Sequence, residues 1–491
     1  MKRRTAVFGI LAILLLSAIA IGSHAASVYK NVNAKKSSNF GWVVEINGIR
    51  YTTHDVIRIN SNADFNSTNG VVGGNGTKDD PYIISGWDID DHNVGDAIYI
   101  GNTTAYFVVK NTYLHNASDF GISLYNVTNG IIANNNCNDN WVGIELKSSN
   151  SITISNNTCN DNNNGYGIYL SSSSNNTISN NICNNDGDGI HMDFSNNNTI
   201  SNNICSSYDD GIYLDFSSSN TVSNNTCINN WEGIYVGASS SNIVSNNTCN
   251  NNGEGIDLWQ SSHNTIFNNI LTNNGDYGVY VRSKSSYNYI LKNSFFYNHG
   301  SGDTYNSSHI QAYDAGSNNY WNNTTIGNYW HDWANNNATN DENPHDGIVD
   351  WLYKIDGNAG AKDNYPLKGT TVKLVPLAPS DLSAVAGNGY VNLTWKAPRG
   401  NGTSPITAYH IYRNGALIAT APANHLWYND TNVVGGQAYT YYVTAVNSVG
   451  ESEKSNEVSA TPWQAVPEFS TMAWLAVTLL IALLGALHRS H

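Results

Sequence analysis

Charge is scarce in this chain: only 12% of its 491 residues are charged, and 23 basic residues face 38 acidic ones, for a net charge of −15. Phosphate binding needs a basic footprint, so the balance argues against a nucleic-acid partner and favours a surface that attracts cations. Methionine is down to three residues and no His–Cys cluster appears, which leaves little for copper coordination. Low charge with abundant Asn, Ser and Gly could describe a disordered chain. Thirty Tyr, thirteen Trp and regularly placed Ile supply core material and argue against that reading.

A repeat fills the body. Cys137, Cys159, Cys183, Cys205, Cys227 and Cys249 are separated by 22, 24, 22, 22 and 22 residues. Leu271 and Phe295 continue the cysteine slot, and a β-branched column (Ile132, Ile154, Ile178, Ile200, Val222, Val244, Ile266, Ile290) runs five residues ahead of it. Each unit holds short alternating runs, too brief for helices, divided by Asn, Gly and Ser turns. Stacking equivalent strands in parallel about 4.8 Å apart turns every column into an interior ladder. The leucines of a leucine-rich repeat are absent. The fold class is therefore all-β: a right-handed parallel β-helix over residues 51–300, closed by residues 301–370 and preceded by a lead-in at 26–50.

The cysteine slot reads as interior, because Leu and Phe share it and a buried thiol behaves as a small hydrophobe. Disulfides between coils and a metal column are the alternatives. Asn135, Asn157, Asn181, Asn203, Asn225, Asn247, Asn269 and Asn293 sit two residues before that slot. Stacked amides there would bond between coils and satisfy turn backbone. Glycosylation is the competing reading for the sequons at Asn156, Asn224 and Asn246, and more so for Asn66, Asn102, Asn306 and Asn337.

Two outward slots carry the candidate chemistry. Alternation turns Ile190 and Met192 inward and His191 and Asp193 outward. Along the stack the first slot reads Glu145, Tyr169, His191, Tyr213, Tyr235, Asp257 and Tyr280; the second reads Lys147, Ser171, Asp193, Asp215, Gly237, Trp259 and Arg282. Asp188, Asp210, Glu232 and Glu254 precede the strand-opening glycines. Rings that stack on sugars beside carboxylates that accept hydroxyl hydrogens suit a polysaccharide, with Tyr169, His191, Asp193, Tyr213, Asp215, Tyr235, Asp257 and Trp259 as ligand contacts. Exposed tyrosines also stabilise neighbouring strands with no ligand at all. Asp193 and Asp215, in equivalent slots of adjacent coils, are the catalytic candidates for paired-carboxylate glycoside hydrolysis. No cofactor is required. The run containing Asp341, Asn343, Asp346 and Asp350 offers alternating oxygen ligands and a glycine turn, the chemistry of a calcium loop, though its spacing departs from an EF-hand.

The ends set the compartment. A basic start, an apolar stretch from Ala6 to Ile21 and small residues at Ser23 and Ala25 predict a signal peptide over residues 1–25. Residues 463–491 form a tail whose apolar run, Met472 to Leu487, precedes Arg489. With Pro467-Glu468-Phe469 upstream it resembles archaeal PEF-CTERM sorting signals, which implies membrane anchoring and processing by an archaeosortase. Ser470 stands where a second proline is usual in that family. The expected location is the cell surface.

Gly73-Gly74-Asn75-Gly76-Thr77, Gly327-Asn328-Tyr329-Trp330-His331-Asp332 and Asp363-Asn364-Tyr365-Pro366-Leu367 resemble the opening and closing phrases of archaeal NosD-like β-helix proteins over residues 45–368. That resemblance implies a carbohydrate-binding or sugar-hydrolase type of β-helix, and its name implies a copper-assembly accessory. Residues 376–462 resemble a fibronectin type III domain, with Trp395 as core tryptophan and Tyr439 at the tyrosine corner; its expected role is a spacer. Three functions stay open: a non-enzymatic surface protein for binding or adhesion to envelope or extracellular polysaccharide or for envelope structure, a polysaccharide-active glycoside hydrolase, and a metal (copper) accessory.

Overall fold

A single 22-residue phrase cannot cover its own apolar side chains, and the chain solves this by winding. In the computed structural model, which describes residues 33–36, 42–46, 49–163, 165–333, 347–463 and 478–482, the chain separates into two units, residues 1–370 and 371–491.

The first unit is a parallel β-helix of three sheets. One coil contributes Thr199–Ser201 to a threonine–isoleucine sheet, Ile204–Ser206 to a cysteine sheet and Asp210–Asp215 to a glycine–isoleucine sheet. The next coil pairs with it in register: Ile200 opposite Val222, Cys205 opposite Cys227, Ile212 opposite Ile234. The cysteine sheet holds fourteen strands and the others eleven each. At its start the cysteine sheet turns antiparallel, through Asn33–Lys36, Trp42–Ile46 and Ile49–Thr53. Beyond residue 300, Ala312–Asp314 and Tyr329–Trp330 continue two of the sheets.

Apolar columns line the lumen. The isoleucine and cysteine columns are fully buried, and all six thiols are free. Burial pushes the Cys137 thiol well above its ordinary pKa. Glycine opens the Gly-Ile phrase for a packing reason: a Cβ on Gly189 would lie 2.7 Å from the Gly211 carbonyl oxygen and 2.8 Å from Cys205 Cβ.

The turns are tied by polar ladders with one direction. Asn181 donates its backbone N–H and its side-chain amide to Asn203 Oδ1 at 2.9 and 3.0 Å, and Asn203 does the same to Asn225 at 2.9 and 2.9 Å. Asn203 Nδ2 also reaches back to the Ile178 carbonyl at 3.0 Å. The expected amide ladder is therefore present, and its bonds from one asparagine to the next all run toward the later coil. A second ladder, Asn230, Asn252, Asn274 and Asn298, lines the turn from the cysteine sheet to the glycine–isoleucine sheet. A third, from Asn176 through Asn198, Asn220, Asn242 and Asn264 to Asn288, lines the turn into the threonine–isoleucine sheet.

A one-way ladder needs a last acceptor with nothing to donate, and a carboxylate is acceptor-only. All three ladders end on an aspartate. Asn328 N–H donates to Asp363 at 2.7 Å, Gln311 Nε2 to Asp332 at 2.6 Å and Asn319 Nδ2 to Asp314 at 3.1 Å. Asp363 and Asp314 each take an indole N–H as well, from Trp330 and Trp321, both at 2.9 Å. This gives the closing phrases a physical meaning. Gly327 belongs to it too, since a Cβ there would stand 1.8 Å from Asp363 Oδ1.

The second unit is a sandwich. Three strands, Ser380–Gly387, Tyr390–Lys396 and Trp427–Asp430, face four, Ala408–Arg413, Ala416–Pro422, Tyr439–Val446 and Val458–Ala460, and all pair antiparallel. Trp395 and Tyr409 meet edge to face at 5.5 Å in its core. Tyr439 OH accepts the Val434 N–H at 3.1 Å, the bond expected of a tyrosine corner.

The residues assigned to the leader, Asp341, Asn343 and Asp346 of the candidate calcium run, and most of the apolar tail lie outside the described residues. Asp350 is described and exposed. Among the described residues no helix is long and apolar enough to cross a membrane.

Candidate functional site

Four parallel strands, Asp188–Asp193, Asp210–Asp215, Glu232–Gly237 and Glu254–Trp259, bring the chemistry together. Register aligns His191 with Tyr213 and Asp193 with Asp215, then Tyr213 with Tyr235 and Tyr235 with Asp257. Glu232 stands opposite both Asp210 and Glu254.

Outward of the lumen does not mean exposed to water. His191 and Asp257 are buried at 8% and 0% exposure, because neighbouring coils cover them. The rings stack on one another along the column: Tyr166 on His191 at 4.2 Å, His191 on Tyr213 at 4.4 Å and 16°, Tyr213 on Tyr235 at 4.7 Å and 11°. Their faces are taken up by each other, so the central rings offer a ligand only edges and hydroxyls. This differs from the expectation that the Tyr column itself is a sugar platform.

His191 lies between two carboxylates, with Nδ1 2.7 Å from Asp188 and Nε2 3.2 Å from Asp193. Burial opposes charge on the imidazole, but these hydrogen bonds raise its pKa above the ordinary value. Bonding both carboxylates at once takes two N–H donors, which only the imidazolium form of the ring has. Tyr169 OH adds a bond to Asp193 at 3.3 Å. Further along the stack Arg282 has the corresponding role, pairing with Glu232 at 2.8 Å and with Asp257. The remaining acids go the other way. Burial, with the Glu232 and Asp188 charges, pushes Asp210 far above the carboxylate range. Burial and the Glu232 charge raise Glu254 to about 7.

Over this row lies an open depression of about 580 Å³. His191, Tyr213, Tyr235 and Trp259 line it, together with Asp188, Asp209, Asp210, Glu232, Arg282 and Trp231. Tyr169, Asp193, Asp215 and Asp257 stand outside its lining. The free ring faces belong to tryptophan: Trp231 is 66% exposed and Trp259 38%. The outward-slot reading missed Trp231, which occupies the turn before a glycine–isoleucine strand. The signal was a Trp at a position filled by Gly187 and Gly253 in other coils.

A parallel β-helix with an acidic, aromatic-lined depression on one sheet, and a separate antiparallel sandwich, is the class of protein that fold and site define. The chain belongs to the NosD family: the family described as periplasmic copper-binding protein (NosD) matches residues 32–192 and 166–335, more than half of its length. Residues 377–461 match the fibronectin type III domain. The chain is similar to an amylopullulanase of Thermoanaerobacter thermohydrosulfuricus, 41% identical over 93 residues, 18% of this chain and 6% of that protein. It is similar to a poly(3-hydroxybutyrate) depolymerase of Ralstonia pickettii, 36% identical over 98 residues, 20% of this chain and 19% of that protein. It spans well under two thirds of either relative. Among solved structures, the A-module of the Azotobacter vinelandii mannuronan C-5 epimerase AlgE4 aligns at 16% identity and a TM-score of 0.36, over 55% of this chain and 90% of that one.

The family description raises copper, and the donor set does not fit it. The six thiols lie one per coil inside the lumen, fully buried, and among the described residues no group of three or more His, Cys, Asp or Glu is placed to hold a metal ion.

Proposed function

We propose that this is an exported protein, anchored at the cell surface through its C-terminal segment, whose β-helix binds an envelope or extracellular polysaccharide without transforming it. The fibronectin type III unit serves as the spacer, and the C-terminal tail is a substrate for archaeosortase processing. One observation carries the binding reading: two exposed indoles, Trp231 and Trp259, border an open depression floored by buried carboxylates. Flat rings take the apolar faces of sugars, and carboxylates accept their hydroxyl hydrogens. The match to amylopullulanases, enzymes named for polysaccharides, is in keeping with such a setting. The test is a glycan array with the full chain, repeated with Trp231→Ala/Trp259→Ala. Loss of the retained glycans in the double variant supports the reading; an unchanged binding pattern rejects it.

A second reading, glycoside hydrolysis, has its own observation. Asp193 and Asp215 face each other across adjacent strands with environments that push them apart. Burial raises both, but the His191 hydrogen bonds bring Asp193 below the ordinary carboxylate pKa, while the Asp193 charge adds to the rise of Asp215. A split pair is the pattern of an acid and its ionised partner. Reducing-end release from a polysaccharide panel, abolished in Asp215→Asn, would establish catalysis; no release from any polymer removes it.

A further inference from the structure

We infer that the depression selects glycans carrying free amines and discriminates against those carrying uronic acids; the inference rests on the glycan-binding reading above. Four acidic side chains line the depression, Asp188, Asp209, Asp210 and Glu232, against two basic ones, His191 and Arg282. Both basic groups are already committed. His191 is held by Asp188 and Asp193, and Arg282 by Glu232 and Asp257. Among the described residues no ion pair joins Asp209, Asp210, Asp215 or Glu254 to a cation. Beside the lining, Glu254 Oε2 and Asp215 Oδ1 have no hydrogen-bond partner. The lining itself is short of positive charge.

An ammonium group supplies that charge, and its three N–H donors suit carboxylate acceptors. The depression adds the second half of an ammonium site, since the electron-rich faces of exposed Trp231 and Trp259 attract cations as well as sugar rings. Asp210 stands beside Glu232 and Asp188, where like charge is most crowded, and burial with those charges raises its pKa. A bound ammonium would offset that crowding. A uronate would bring a further acceptor-only anion to a surface already rich in them, with no uncommitted cation to receive it. The overall charge of −15 adds to the same bias.

The test is isothermal calorimetry of the full chain with three hexasaccharides of one length: glucosamine, N-acetylglucosamine and galacturonic acid. The glucosamine oligomer should bind at least about tenfold tighter than its N-acetylated form. That advantage should shrink at about 0.5 M salt and in Asp209→Asn, an exposed position whose substitution leaves folding intact. Asp210→Asn, checked by its melting curve, should lower it further. Equal binding of the two glucosamine forms, or tightest binding of the galacturonate, overturns the amine inference while the glycan reading survives. If Trp231→Ala/Trp259→Ala leaves all three unchanged, or none of them binds, the glycan reading itself fails and the inference with it.

Discussion

Asn162 donates its side-chain amide to Asp186 Oδ1 at 2.9 Å, and the other oxygen of that fully buried carboxyl has no partner. Asp186 stands in the second ladder, where later rungs turn an Nδ2 back to a carbonyl of the preceding coil, as Asn230 does to Cys205 and Asn252 to Cys227. Asp186 makes no such bond, and the next rung, Ser207, leaves its hydroxyl without a partner as well. The ladder is thus interrupted between Asp186 and Ser207. Burial keeps Asp186 well above the carboxylate range.

Asp186→Asn should repair the rung and stabilise the β-helix by about 1–3 kcal/mol, the cost of a buried group left unsatisfied. The sign with pH follows from linkage. The native state holds a proton that the unfolded chain releases above about pH 4, so wild-type stability falls as pH rises past that value. Thermal melts at pH 5 and 8 should show the variant gaining more at pH 8.

Glu254 makes a second contribution of the same sign, in a narrower window. Its pKa is raised to about 7 by burial and by the Glu232 and Asp276 charges. The stability it contributes is fully present below about pH 4.3 and is lost by the time pH has passed about 7. In Glu254→Gln the fall in urea midpoint between pH 5 and 7.5 should be shallower than in the wild type.

Asp363 closes the first ladder by accepting from Asn328 N–H, Trp330 Nε1 and Tyr365 N–H at 2.7, 2.9 and 3.0 Å. Asp363→Asn turns one acceptor into a donor facing other donors. The expected cost is about 2–4 kcal/mol, read as a lower urea midpoint. Asn203→Ala, which strands both donors of Asn181, should cost a similar amount.

The thiols should be inert in the folded protein. All six are buried and free, so a thiol-specific chromophore should find none in native buffer and six in denaturant. Fewer than six in unreduced, denatured protein would mean that disulfides form.

How much was legible beforehand divides along physical lines. The repeat dictated the lumen: Cys205, Ile200 and Ile212 lie where a period of 22 puts them, and Asn203 bonds between coils as its column implied. Alternation also placed His191 and Tyr213 outside the lumen. It could not tell that these rings would close on each other's faces, because that depends on the spacing between coils and not on the order within one. Trp231 escaped because turn residues carry no alternation to judge them by. Asp186 was not singled out, since a ladder's direction becomes visible only when each hydrogen has a donor assigned.

That direction bears on how such chains change in length. Apart from the break at Asp186 and Ser207, the inner coils present the same acceptors to their predecessors and the same donors to their successors, so a whole unit copied between two intact ones finds its bonds already waiting. The aspartates that terminate the ladders are the exception, for nothing can be added after them without leaving donors unmatched. Growth by duplication is thereby confined to the interior of the gene, and the segment around Asp314, Asp332 and Asp363 must travel as one piece at its trailing edge.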